Sequence, residues 1–430
     1  MVSRRRFLQT GSLAASVSVA LPALAEAAEG DQSLPPALAA LRTLRAEARP
    51  ITVEERAARQ ENARRLMLMR ENNLSAILLT PSTSLAYFTG IRWEGGERLF
   101  AMVLPAKGEA FYVSPAFEEG RAREQIAQSP EGGNSDLRVW QEDESPYARV
   151  AQGLSDRGIA SGTVGIEETV KFVFSDNLRK AAPSATFTSA TPVTAGCRMI
   201  KSRHEIDLMR LAAKVTLAAY EATYRSLKAG MTQHDVENML EAAHRQLGFE
   251  GGADVQVGEY SSFPHGSVKP QEIQEGTIVM IDGGCSVEGY QSDITRTFVL
   301  GKASDKMKQV FEIVHRAQSA ALAAAKPGVD AGSVDAAARK VITDAGYGPD
   351  YKYFTHRLGH GMGMDGHEWP YLVRGNPTTL QPEMTFSDEP GIYIRGEFGI
   401  RLEDDMHIME GGAELFTAQS PTLENPFEKG

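Results

Sequence analysis

Acidic residues stand inside apolar runs at four places in the C-terminal half of this chain, and each poses a solvation problem. Asp282 ends the run Ile278-Val279-Met280-Ile281, and Asp293 opens Ile294-Thr295-Arg296-Thr297-Phe298. Further on, Glu389 closes Met384-Thr385-Phe386-Ser387-Asp388, and Glu403-Asp404-Asp405 follows Gly399-Ile400-Arg401-Leu402. A lone buried carboxylate is costly, so it needs a cation, a set of hydrogen bonds or a metal. Taken singly, any of these acids reads as a turn cap or a salt-bridge partner. Acids paired across two similar β-rich segments, 276–301 and 384–409, make that reading poor. With one imidazole they suit a site for two divalent ions, because roughly four negative charges balance two dications and carboxylates bridge between ions. A mostly oxygen ligand set points to Mn²⁺ or another borderline divalent ion rather than to structural zinc.

The imidazoles are concentrated in HRLGHGMGMDGHEWP (356–370), which holds His356, His360 and His367, three of the nine histidines. A separation of four would pair His356 with His360 on a zinc-protease helix. Gly359, Gly361, Gly363 and Gly366 disfavour that helix. A glycine-flanked strand or turn is expected instead, with backbone in close approach to something. On a strand, His356 and His360 share one side and His367 lies well away. Spacing alone does not choose the ligand. The same period of two puts Arg401, Glu403 and Asp405 on one face and Ile400 and Leu402 on the other. Arg401 is therefore expected beside the acids, placed to receive a substrate carboxylate.

Elements must bring these residues together. After Lys201-Ser202, the residues Ile206, Met209, Ala213, Leu217 and Tyr220 recur at helical spacing, and Gly230 supplies a stop. Thr232 to Asp235 reads as a capping box opening a second helix through Val236, Leu240 and Ala243. KAGMTQHDV (228–236) echoes KPGVDAGSV (326–334), and LGF (247–249) echoes AGY (345–347), both at an offset of 98 residues. A constant offset indicates two related halves, each continuing into an acid-bearing hairpin. Upstream, residues 50–200 read as a small α/β unit. It holds a charged helix over Arg56–Asn72, a buried strand over Ala76–Leu79, and paired strands over Ala101–Leu104 and Ala110–Val113.

The length of 430 residues predicts two or three domains, and 42% apolar with 23% charged residues reads as globular. A net charge of −11 argues against a nucleic-acid partner. Cys197 and Cys285 cannot make a disulfide framework and read as small buried residues. Ser3-Arg4-Arg5-Arg6-Phe7-Leu8-Gln9 is a twin-arginine pattern, followed by an apolar run too short to span a membrane and by Ala23-Leu24-Ala25 for cleavage. Residues 1–25 are thus expected to be a twin-arginine signal peptide, giving a periplasmic or secreted protein with no stable membrane span. Residues 26–49 are expected to be a linker.

The motifs IDGG…GYQSDITRT, GHGMG…HE, DEPGIY and GIRLEDD, in that order, resemble the pita-bread metallopeptidases. That family includes methionine aminopeptidase, aminopeptidase P and prolidase (Xaa-Pro dipeptidase). The resemblance covers roughly residues 50–430. It implies a creatinase-type α/β N-terminal domain (50–200) followed by a pita-bread α+β catalytic domain with a pseudo-twofold repeat (201–430). By motif, Asp282, Asp293, His360, Glu389 and Glu403 would hold two divalent ions, Mn²⁺ first and Co²⁺ or Zn²⁺ next, with Asp293 and Glu403 bridging. His265, in FPHGS, would be an active-site histidine, and His356 and His367 would contact substrate. Glu403 would help position the attacking water, while Arg401 and Tyr393 would lie around the proline-side pocket. The glycines of 359–366 would give backbone and peptide room near the metals.

The implied reaction is hydrolysis of Xaa-Pro bonds, with dipeptides favoured. The alternatives are aminopeptidase P action on longer peptides, or a non-peptidase hydrolase or lyase of the same fold. Creatinases lack the metal set, whereas all five ligands are present here. The family also implies a homodimer, in which the Trp93 loop would reach a neighbour's site. Gly283-Gly284-Cys285 departs from the bulkier residue of many relatives, and Cys285 is expected to pack behind the metal shell.

Overall fold

Apolar strands buried on both faces organise the first part of the chain. In the computed structural model, which describes residues 34–427, β1 (Ala76–Leu79), β2 (Ala101–Pro105), β3 (Phe111–Pro115), β4 (Asp136–Trp140), β5 (Thr163–Ile166) and β6 (Thr186–Ser189) form one sheet in the order β4-β3-β2-β1-β5-β6. β2 lies antiparallel to β3, the pairing the sequence predicts, and antiparallel to β1 as well, while β4, β5 and β6 add in parallel. Alternation sorts the side chains. Ile77, Leu79, Met102, Leu104 and Tyr112 enter one core, and Ala76, Leu78, Val103, Phe111 and Val113 enter the other.

The charged helix runs over Val53–Leu68 rather than Arg56–Asn72. Thr52 and Glu55 cap it reciprocally. It ends early because Asn72 folds back, donating from Nδ2 to the Leu66 carbonyl at 2.8 Å. The expected signal peptide lies outside the described residues. The last part of the expected linker is docked, not free. Leu38 of the short helix Pro36–Ala39 is fully buried, and the Leu44 amide donates to the Leu247 carbonyl at 2.8 Å. An Ala- and Pro-rich composition hides this single apolar anchor. Among the described residues no helix is long and apolar enough to cross a membrane.

The C-terminal half is built twice. Helices Arg203–Tyr224 and Gln233–Leu247 form the first pair, and Asp305–Ala324 with Ala331–Asp344 the second. The first helix stops at Tyr224, and Gly230 instead takes φ +88° in the turn between helices, its amide donating to the Ile273 carbonyl. The repeat holds in detail. The N-caps Thr232 and Asp330 each make an isolated antiparallel bridge, and Gly248 and Gly346 sit at φ +93° and +90° where the paired helices end.

Each helix pair backs an acid-bearing sheet. In the first, β8 (Ile278–Val287) pairs with β7 (Glu250–Val257), with the short β9 (Tyr290–Gln291) and with β10 (Ile294–Val299). In the second, β11 (Gly359–Gly361), β12 (Glu368–Leu372), β13 (Thr385–Asp388), β16 (Asp404–Met409) and β17 (Gly412–Leu415) lie in the order β12-β11-β13-β16-β17. The expected hairpin over 384–409 is interrupted. β14 (Gly391–Ile394) and β15 (Phe398–Arg401) leave the sheet as a separate hairpin. β15 leaves to press on the 3₁₀ turn Gly258–Ser262. The Gly399 amide donates to Ser261 Oγ at 2.8 Å, and a Cβ at Gly399 would lie 2.2 Å from the Ser261 carbonyl oxygen. That contact brings the Pro264–His265 loop to the site.

Candidate metal centre and its cavity

Strand register places the carboxylates. Asp282 lies opposite Thr295 across β8 and β10, with Asp293 just before β10 begins. Asp388 lies opposite Asp404, so Glu389 and Glu403 are neighbours at one end of the β13–β16 pair. The Glu403 amide donates to the Thr295 carbonyl at 3.2 Å and ties the two halves together. Behind it, Arg296, 1% exposed, donates to Asp404 Oδ1 at 2.7 Å and to the Glu403 carbonyl at 2.9 Å. The three consecutive acids therefore divide. Glu403 enters the cavity, Asp404 neutralises Arg296, and Asp405 accepts from the Asp293 amide at 3.1 Å. A strand break at Leu402–Glu403, between β15 and β16, replaces the continuous face expected for 401–405.

Donor atoms of Asp282, Asp293 and Glu403 converge within 4.8 Å of one another, as do those of His360, Glu389 and Glu403, and those of Asp293, His360 and His367. Asp293, His360 and Glu403 each belong to two of these groups. Burial, with repulsion from the neighbouring carboxylates, pushes Asp293 and Glu403 well above the ordinary range. Burial pushes Glu389 to about 7, against the pull of Arg401. Asp282 alone is held down, because Arg401 and Thr295 outweigh its burial. These carboxyls cannot all ionise together unless cations join them. The donor set thus fits divalent ions, and its preponderance of oxygen suits hard or borderline metals.

Hydrogen bonding now separates the histidines. His360 turns Nδ1 to the Gly361 carbonyl at 3.1 Å, so its Nε2 lone pair faces Glu389 at 3.3 Å and Asp293 at 3.8 Å. Burial, with His367 beside it, pushes His360 down to about 3, so the ring is neutral and a lone pair meets carboxylate oxygens. A cation between them resolves that arrangement; without one, a proton kept on a raised carboxyl must donate to Nε2. His356 has both nitrogens engaged, Nδ1 with the Arg357 carbonyl at 2.8 Å and Nε2 with the Tyr393 hydroxyl at 2.7 Å. His367 accepts at Nδ1 from Arg357 at 3.2 Å, because a guanidinium only donates. Its proton is therefore on Nε2, and that nitrogen is a donor, not a ligand.

His265, Asp282, Asp293, His356, His360, His367, Glu389, Arg401 and Glu403 line one cavity of about 330 Å³, within the usual range for small ligands. Tyr393 stands behind its wall at 2% exposure. Strand alternation predicts His367 remote from His360, and the structure places it beside His360. The chain doubles back between β11 and β12, and the two rings stack at 3.7 Å. Arg401 is beside the acids as expected, but its guanidinium is spent inside the protein. It donates to Asp282, to Thr295 Oγ1 at 3.0 Å, to the Pro264 carbonyl at 3.1 Å and to the Tyr393 hydroxyl at 2.9 Å. The glycines serve strand packing. A Cβ at Gly359 would lie 2.0 Å from the Ser387 carbonyl oxygen, and one at Gly361 2.7 Å from those of Glu368 and Trp369. Cys285 packs behind Asp282, its thiol 3.3 Å from the Ala212 carbonyl and pushed by burial to about 11. Trp93 is occupied within its own domain, stacked on Phe100 at 4.1 Å.

Sequence reasoning missed two residues. Thr295 reaches Asp282 Oδ1 at 2.8 Å and Glu403 Oε2 at 2.5 Å, and its signal was the position two residues after Asp293, on the same strand face as that acid. Arg357 lines the cavity with its guanidinium over the Tyr371 ring at 4.1 Å, and no carboxylate pairs with it among the described residues. It sits between two histidines that drew the attention.

Residues 207–410 match Metallopeptidase family M24, and residues 59–200 match the Creatinase/Prolidase N-terminal domain. The chain is 33% identical over 353 residues to the putative dipeptidase YkvY of Bacillus subtilis (strain 168), spanning 81% of this chain and 95% of that one. It is 32% identical over 366 residues to the Xaa-Pro dipeptidase of Lactobacillus delbrueckii subsp. lactis, spanning 83% and 96%. Among solved structures, dipeptidase PepE from Mycobacterium ulcerans superposes with a TM-score of 0.81 at 32% identity, over 87% of this chain and 99% of that one.

Proposed function

The chain belongs to metallopeptidase family M24, and from that membership we propose that it hydrolyses Xaa-Pro bonds with a preference for dipeptides. One observation carries the preference. The cavity that gathers the carboxylates and His360 also holds Arg357, a cation without a carboxylate partner among the described residues. A dipeptide places its C-terminal carboxylate one residue from the scissile bond, where such a guanidinium can receive it. A longer peptide has an uncharged amide there. The similarity to a protein named Xaa-Pro dipeptidase supports the same reading.

Asp282, Asp293, His360, Glu389 and Glu403 would hold the ions, with Mn²⁺ the first candidate and Co²⁺ or Zn²⁺ next. Divalent ions there supply Lewis-acid activation of water and carbonyl. The protein's own side chains set the surroundings. Arg401 and Thr295 hold Asp282, and Arg296 holds the Glu403 backbone. His367 offers an Nε2 proton to a carbonyl oxygen that gains negative charge. Tyr393 fixes the orientation of His356, and His265 enters from the loop after Gly258–Ser262. Export by the twin-arginine route, to the periplasm or beyond, belongs to the same proposal and is checked by cell fractionation. A homodimer is proposed from the family resemblance, to be checked by light scattering.

The test is turnover of Xaa-Pro and Xaa-Pro-Yaa peptides after chelation and readdition of each metal. Higher kcat/KM on the dipeptides is expected. Equal or faster cleavage of the longer peptides would assign aminopeptidase P activity instead. Hydrolysis of neither would point to a non-peptidase hydrolase or lyase.

A further inference from the structure

The turn that carries His367 is tied down by the preceding domain. Between β11 and β12 the chain doubles back and enters β12 at Glu368, the residue after His367. Arg198 closes the helix Thr191–Arg198 and donates through Nη2 to Asp365 Oδ2 at 2.6 Å and to Glu368 Oε1. Its Nη1 reaches Ser84 Oγ at 3.3 Å. Thr83 Oγ1 donates to Asp365 Oδ1 at 2.5 Å, and Lys201 Nζ lies 3.6 Å from Glu368 Oε2. Within the turn, the Asp365 amide donates to Glu368 Oε1 at 2.9 Å. Side-chain exposure is 10% for Arg198, 5% for Glu368 and 2% for Lys201, so that part of the cluster is dry, while Asp365, 44% exposed, holds its outer end at the surface.

A buried ion cluster of this kind is a poor stability device, because desolvation offsets most of the attraction. What it supplies is fixed geometry, since a guanidinium fork holds two carboxylates in one relative placement. Those carboxylates bracket His367. Its ring has two further constraints, the stack on His360 and the Arg357 bond at Nδ1, and both need the turn at one height.

We propose that Arg198 is a positioning residue for hydrolysis. Through Asp365 and Glu368 it fixes the turn so that His367 stacks on His360 and keeps its Nε2 proton available in the cavity. The N-terminal domain thereby completes the active site without lining its floor. This rests on the reading of His367 as a substrate-facing donor.

Arg198→Ala and His367→Ala are made singly and together in the full-length, metal-loaded enzyme. Arg198→Ala is expected to lower kcat about 10- to 100-fold with bound metal unchanged. In the His367→Ala background it is expected to add little, because both act through one imidazole. Arg198→Lys should recover part of the loss. A second readout needs no substrate. In metal-free protein labelled with ¹⁵N-histidine, the His367 ring signals, assigned by their loss in His367→Ala, should report one tautomer in the wild type and an average in Arg198→Ala. Additive losses, or an unchanged tautomer, would overturn the proposal. Should Arg198→Ala fail to fold, Thr83→Val removes one tie to Asp365, and its smaller loss must show the same dependence on His367. Because the tautomer is read without peptide, a wrong substrate assignment and a wrong role for Arg198 give different results.

Discussion

His360 and His367 are in ring contact, yet their hydrogen bonds give them opposite uses. One has its lone pair free toward carboxylates, and the other has its lone pair taken by Arg357. His360→Ala is expected to lower bound metal, measured by elemental analysis after dialysis. His367→Ala should keep the metal and lose about 10²- to 10³-fold in kcat, the usual effect of removing one donor to a developing oxyanion. If both variants lose metal alike, the tautomer argument fails. Glu389 gives a second prediction. Its carboxyl rises from 4.5 to about 7 in the folded, metal-free protein. A raised acid favours the folded state while protonated, so this contribution is full below pH 4.5 and is lost as pH rises through about 7. The penalty at alkaline pH is on the order of 3 kcal/mol. The Tm of chelated protein should therefore fall between about pH 5 and 8, and added divalent ion should restore it most at the alkaline end. A chelated protein whose Tm is flat over that range would remove the carboxylate crowding from the account.

Single elements show where sequence reading works and where it stops. Strand β1 is bounded as predicted, because Ala76-Ile77-Leu78-Leu79 is short, apolar and covered on both faces. The Thr232 capping box is likewise legible, since its chemistry is local. The placement of His367 failed because period-two alternation assumes a continuing strand, and β11 is three residues long before the chain reverses. The continuous 401–405 face failed for the same reason, at the break that releases β14 and β15. Arg401 was found from its position, but its consumption by Asp282, Thr295 and Pro264 depends on residues far away in sequence. The glycines of the histidine segment offer a test at this scale. Gly359→Ala would drive a Cβ against the Ser387 carbonyl and separate β11 from β13. A loss of about 1–3 kcal/mol is expected, with weaker metal binding because His360 rides on β11. Gly366, where a Cβ meets nothing within 4 Å, is the control, and Gly366→Ala should match the wild type in both measurements. Equal effects at the two positions would mean that strand contact is not what these glycines serve.

At the scale of the whole molecule, the candidate metal centre lies on the seam between two repeated halves. The first half supplies Asp282 and Asp293, and the second supplies His360, Glu389 and Glu403. The seam is also stitched without metal, by Glu403 to Thr295 and by Arg296 to Asp404. Bound ions would add cross-links at the point where buried carboxylates otherwise repel. Removing them should therefore loosen both halves together, rather than the sheet β1–β6, whose two apolar cores contain none of the acids. Hydrogen exchange measured by mass spectrometry, with and without chelator, tests this. Faster exchange is expected in peptides covering β10 and β16, with no change in those covering β1–β3. Exchange that rises only in the second half would mean that the first half closes its own carboxylates through Arg401 and Thr295, and that the ions do not join the halves. Exchange that rises everywhere would mean that metal is required for the global fold, and the protection of β1–β3 distinguishes that outcome from a local opening of the seam.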